Sequence, residues 1–203
     1  MQLLDIIRTG ECRSLAKAWQ RWRGGNLLPR RADMHISEIT PILPGITIME
    51  LRSTEELIFR LAGTKIAETL GIELTGCNYL DFAAPPDRAR RGERAMWQGR
   101  QPCGAHFLLP IPFSSGRVVL SEVLSLPARP NQDGEAMQLI TMNCALDDTG
   151  LHLPATNPDR FSMADEFRFV DIGAGTPDAA LALGESLPAL LPRPIPAGEQ
   201  QTA

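Results

Sequence analysis

Two spacings of apolar residues alternate along the middle of this chain, and the switches between them mark its elements. Leu57, Phe59 and Leu61 alternate with Ile58 and Arg60, the period-2 pattern of a strand with one apolar side. Gly63 and Thr64 stop that strand. From Lys65 the residues Ile66, Ala67 and Leu70 share one face of a short helix, with the Thr64 hydroxyl suited to capping its first amides and Gly71 to ending it in a left-handed turn. Gly76 repeats the punctuation before Tyr79, Leu80 and Phe82.

The flanks extend this unit in both directions. Residues 46 to 51 predict a strand, and the polar turn of residues 52 to 55 predicts an antiparallel hairpin with the strand that follows. Residues 85 to 100 predict a longer helix, started by Pro85 or Pro86, with Asp87 at its positive end and Met96 and Trp97 as apolar contacts. Its Arg88, Arg90, Arg91 and Arg94 read as a solvated basic face. Three strands follow at residues 105 to 112, 117 to 126 and 136 to 146. Glu122 is expected to face outward in the second, and Asp133-Gly134 is the turn signal before the third. Near the start, residues 11 to 23 predict a helix with Leu15, Trp19 and Trp22 on one stripe, closed by Gly24-Gly25.

Two strands, a cluster of helices and three more strands give an α+β class, a five-stranded antiparallel sheet with helices on one face plus an N-terminal helix. The expected organisation is 1–45 as N-terminal helix and connection, 46–148 as the folded domain, and 149–203 as an extension. Residues 167 to 172 are a further short strand or packing segment. The prolines beyond Gly173 predict a mobile tail, within which residues 179 to 191 could fold on a partner.

Several motifs stand in a fixed order along these elements: Trp19 to Gly25 as W-x-x-x-R-G-G, Leu28 to Asp33 as L-P-R-R-A-D, Arg60 to Thr64 as R-x-A-G-T, Gly76 to Phe82 as G-x-N-x-L-D-F, then Pro85-Pro86-Asp87-Arg88. This order resembles the PAS domain family, most nearly the bacterial single-PAS proteins that carry R-x-A-G-T, over roughly residues 11 to 148. The resemblance implies a PAS-like sheet curved around its helices and a sensory or adaptor role in signal transduction, through a small-molecule ligand, a homodimer or a regulatory protein partner. Arg60, Gly63, Thr64, Gly71, Gly76 and Asp81 are then fold-motif positions. Phe59, Leu61, Ile66, Tyr79, Phe82, Trp97 and Phe107 are the candidates to line an interior that is either a filled core or a ligand cavity. Leu15, Trp19 and Trp22 are the candidate dimer or partner surface, or the contact that docks their helix on its own domain.

Chemistry narrows this picture. A formal net charge of -4 over 203 residues gives no electrostatic case for nucleic acid, and no apolar run approaches the ~20 residues of a membrane span. The first ten residues lack a basic leader and cleavage site, which points to the cytoplasm. Cys12, Cys77, Cys103 and Cys144 are too widely spaced for a zinc motif and read as reduced thiols, with no metal expected. No phosphate loop or nucleophile elbow is present, so the chain reads as a non-enzyme. The enzymatic alternative rests on His106 with a neighbouring thiol or hydroxyl. No particular cofactor is indicated: Tyr79 stands where flavin-adduct relatives of this fold carry cysteine, and His106 falls on a strand, away from the helical side that would ligate haem.

Overall fold

A computed structural model describes residues 3–132, 134–152 and 166–177. Its strands are β1 (Ile46–Leu51), β2 (Leu57–Ala62), β3 (Gly104–Pro112), β4 (Arg117–Ala128), β5 (Gln138–His152) and β6 (Glu166–Val170), and its α-helices are α1 (Gly10–Arg23), α2 (Thr64–Leu70) and α3 (Pro85–Arg100). The strands make one antiparallel sheet in the order β2-β1-β5-β4-β3-β6. The first five in that order are the predicted sheet. The sixth extends it, because β3 would otherwise be an open edge and the alternating Phe167, Arg168, Phe169 suit a strand laid along it. Asp133 and the expected tail segment at 179–191 lie outside the described residues.

Both faces of this sheet are covered, so both sets of alternating side chains are buried. On the inner face Met49, Leu57, Phe59, Leu109, Val123 and Leu139 form a core with Leu70, Leu74, Leu80 and Ala95 from the helical side. On the outer face Ile46, Leu124, Leu126, Ile140 and Met142 pack with Leu15, Trp19 and Trp22 of α1. Those three residues share a stripe as predicted, but they are 0%, 1% and 6% exposed and present no open partner surface. Trp19 Nε1 also donates to the Pro127 carbonyl at 2.9 Å, a satisfied indole inside the seam. The physical reason is the second apolar sheet face, which needs a cover.

The central unit departs from strict alternation at one place. Met49 pairs with Phe59 and Ile48 with Leu61, which leaves Arg60 as the extra residue of a β-bulge. Past the bulge the faces exchange, so Leu61 packs with the outer-face cluster while Phe59 stays inside. Arg60, turned to solvent, pairs with Glu50. The helix after it starts at Thr64, one residue before the predicted start. Gly63 is the N-cap, and Thr64 makes no capping bond. Glycine is required there by space, since a Cβ would stand 2.3 Å from the Pro44 carbonyl oxygen. Gly71 ends the helix at φ 68° with its N–H on the Ala67 carbonyl, the left-handed cap expected.

Gly76, at φ 88°, turns the chain back along the edge of β2. Its N–H reaches the Phe59 carbonyl at 2.8 Å and Phe59 N–H reaches the Cys77 carbonyl at 3.0 Å. Asn78 then locks the turn, its Oδ1 accepting from the Leu57 and Leu80 amides and its Nδ2 donating to the Glu55 carbonyl. Asp81 is exposed and lies 3.8 Å from Arg88.

Candidate functional site

A helix normally buries its apolar stripe, and α3 has none to bury. Its i, i+3, i+4, i+7 positions from residue 91 are Arg91, Arg94, Ala95 and Gln98, with Met96 and Trp97 off that line. Gly92 lets the helix approach the β1–β2 turn so closely that a Cβ would meet Thr54 O at 1.8 Å. The result is a buried face containing Arg91 (6% exposed) and Gln98 (4%). The expectation of a wholly solvated arginine face is thereby corrected.

Between this face and the sheet lies a cavity of about 100 Å³. Phe59, Leu70, Leu109 and Val123 contribute apolar wall, and Thr47, Ser125, Thr141 and Asn143 contribute polar wall. Thr47 pairs with Thr141 and Thr141 with Ser125 across β1, β5 and β4, so three hydroxyls form one row on the inner face. Arg91 donates from Nη1 to Tyr79 Oη at 2.9 Å. The Arg94 guanidinium carbon lies over the Phe167 ring, 4.2 Å from its centre, and that ring stacks on Phe107 at 5.6 Å. Arg94 Nε and Gln98 Oε1 are buried and have no hydrogen-bond partner among the described residues. Burial, and then the neighbouring Arg90 and Arg91 cations, lower the Arg94 pKa to about 10.

Four of the seven interior candidates from the sequence line this cavity: Phe59, Ile66, Tyr79 and Phe107. Leu61 is on the other sheet face because of the bulge. Phe82 stands behind Phe59, edge-on at 6.4 Å, and Trp97 is half-buried off the inward stripe with Arg100 over its ring. Sequence reasoning missed Arg94, Gln98 and Phe167. The first two carried a readable signal, polar residues at the spacing where a helix should be apolar.

The opposite face of the same strands holds a second polar cluster. Glu122, fully buried, accepts from the Arg8 and Thr9 amides at 2.7 Å each, from the Thr9 hydroxyl, and from His106 Nε2 at 2.8 Å. Glu122 was expected to face outward; it does leave the cavity side, but α1 covers it. Thr9 is also the N-cap of α1, accepting from Cys12 N, so Glu122 ties β4 to the start of that helix. Burial works against the charge on Glu122, but the His106, Arg8 and Thr9 donors outweigh it and hold its pKa at about 2. An ionised carboxylate only accepts, so His106 Nε2 is the donor. His106 does not line the cavity, and its Nε2 is committed to Glu122. Cys12, Cys103 and Cys144 are buried, and burial raises their pKa values, that of Cys103 to about 12, which keeps the thiols neutral.

No helix among the described residues is long and apolar enough to cross a membrane. A family model described as "PAS domain" matches residues 8–142, a span that takes in α1 as well as the sheet into the first third of β5. No curated protein matches the chain.

Proposed function

This chain belongs to the PAS domain family of sensory and signalling domains, and from that membership we propose that it is a cytoplasmic, non-catalytic sensor whose signal is a small molecule held in the inner cavity. The observation that carries the reading is the cavity itself, a partly open and largely apolar pocket with a few inward polar groups, the usual composition of a ligand site. Its volume of about 100 Å³ is below the ~150 Å³ that holds benzene in an engineered core, which favours a small ligand.

The route outward is the β3–β4 pair. Phe107 and Val123 face the cavity, while their neighbours His106 and Glu122 face α1. Occupancy that shifts these strands changes the grip on Thr9 and hence the docking of α1. An undocked α1 would offer Leu15, Trp19 and Trp22 to a second copy or to a regulatory protein, moving the population between two association states. The non-catalytic reading is supported by the bond that commits His106 Nε2 to Glu122 and by the burial of the Cys12, Cys103 and Cys144 thiols.

Native mass spectrometry of untreated protein tests this. The expected spectrum shows a stoichiometric added mass of small-molecule size, and its removal changes either oligomeric state or hydrogen exchange in residues 10–23. A ligand-free protein that acquires no mass from cell extract and never changes its association would sink the reading.

A further inference from the structure

Resting on the cavity reading above, we propose that the ligand is a small monocarboxylate, its carboxylate held by Arg94 and its apolar body against Phe59 and Val123. Charge sets the class. Arg91 and Arg94 line the cavity, and no aspartate or glutamate among the described residues lines it with them. A cationic ligand would be repelled, and a neutral one would leave the partly buried guanidinium of Arg94 without a counter-charge.

Geometry selects Arg94 as the anchor. Arg94 holds its guanidinium carbon over the Phe167 ring, 4.2 Å from the ring centre, and the planar fork of N–H donors on a guanidinium matches the two oxygens of a carboxylate. Its Nε is already buried and has no partner among the described residues. Gln98, one helical turn further on, also points a buried, unpartnered amide oxygen from the same face, which suits a hydroxyl or protonated group next to the carboxylate. The rest of the lining is largely apolar, and a volume of about 100 Å³ suits a body smaller than the benzene that a cavity of ~150 Å³ holds.

Isothermal titration calorimetry of the full chain, stripped by partial unfolding and refolding, checks this with monocarboxylates from acetate to benzoate, each beside its neutral amide. The expected result is one site per chain, at least tenfold preference for at least one acid over its amide, and at least tenfold loss of that binding in Arg94→Met. Arg94→Lys, which keeps charge but loses the planar fork, should fall between the two and guards against a misfolded Met variant. Equal binding of acid and amide, unchanged binding in a folded Arg94→Met, or no binding by any acid overturns the carboxylate proposal. The sensor reading is judged separately by the native mass spectrum. A neutral copurifying molecule there removes the carboxylate and keeps the sensor, whereas an empty and unresponsive protein removes both.

Discussion

The two faces of the β3–β4 pair treat buried polar groups in opposite ways. On the outer face a single carboxylate, Glu122, is enclosed with four donors and ties the sheet to the first turn of α1. On the inner face Arg94 and Gln98 border a void with polar atoms that no described residue answers. A buried polar group without a partner costs about 1–3 kcal/mol, so a fold keeps one only where something else supplies the partner. The Glu122 carboxylate is thus fully answered by the fold, although His106 Nδ1 and Trp22 Nε1 in the same outer layer have no partner among the described residues, whereas the inner face has unanswered atoms on two side chains that line a void. That contrast separates structure from site more sharply than the polarity of either group does.

The contrast breaks most visibly on the outer face. Glu122→Ala strands His106, two amides and the Thr9 hydroxyl in a buried seam, and urea unfolding should show a loss of about 3–5 kcal/mol. Glu122→Gln keeps the shape and isolates the charge. The Glu122 pKa is depressed from an ordinary 4.5 to about 2, so its contribution is present above the unfolded value and disappears as pH falls from about 4.5 through 2. Wild type should therefore lose on the order of 3 kcal/mol over that window beyond what Glu122→Gln loses. Parallel pH curves for the two proteins would show that the carboxylate is not what holds α1.

Much of this architecture was legible in local pattern. Helix α3 and strand β1 fall on their predicted bounds, and Gly71 caps α2 as its position demanded, because period, caps and turn glycines are written within a few residues. What escaped depends on distant pairing. The bulge at Arg60 exists only relative to β1, and it alone moves Leu61 away from Phe59. Glu122 looked like a solvent residue because the sequence does not say that α1 lies over it. Phe167 joins the cavity only because β6 pairs with β3 across nearly sixty residues of chain. The arginines of α3 misled for a different reason. Charge predicts exposure on average, and here a helix without an apolar stripe must bury what it has.

A smaller effect sharpens the inner face. Gly92→Ala would press a Cβ into the Thr54 carbonyl, and moving α3 away from the β1–β2 turn should cost about 2–3 kcal/mol in thermal or urea unfolding. The tight element on this side is backbone approach.

The smallest expected change carries the comparison furthest. If Arg94 served the fold, truncating it would behave like truncating Glu122. Its guanidinium instead is partly buried, has its pKa lowered to about 10 by burial and by neighbouring cations, and meets no carboxylate among the described residues. Replacing such a charge with an apolar side chain of similar length removes a desolvation penalty and keeps contact with Phe167. Ligand-free Arg94→Met should therefore be as stable as wild type or up to about 1 kcal/mol more stable. A loss above about 1 kcal/mol, measured on stripped protein by the urea midpoint, would assign Arg94 to the fold and erase the distinction between the faces. Equal or higher stability would leave Arg94 as a group the chain retains at its own cost, which is the expected signature of a residue kept for a ligand.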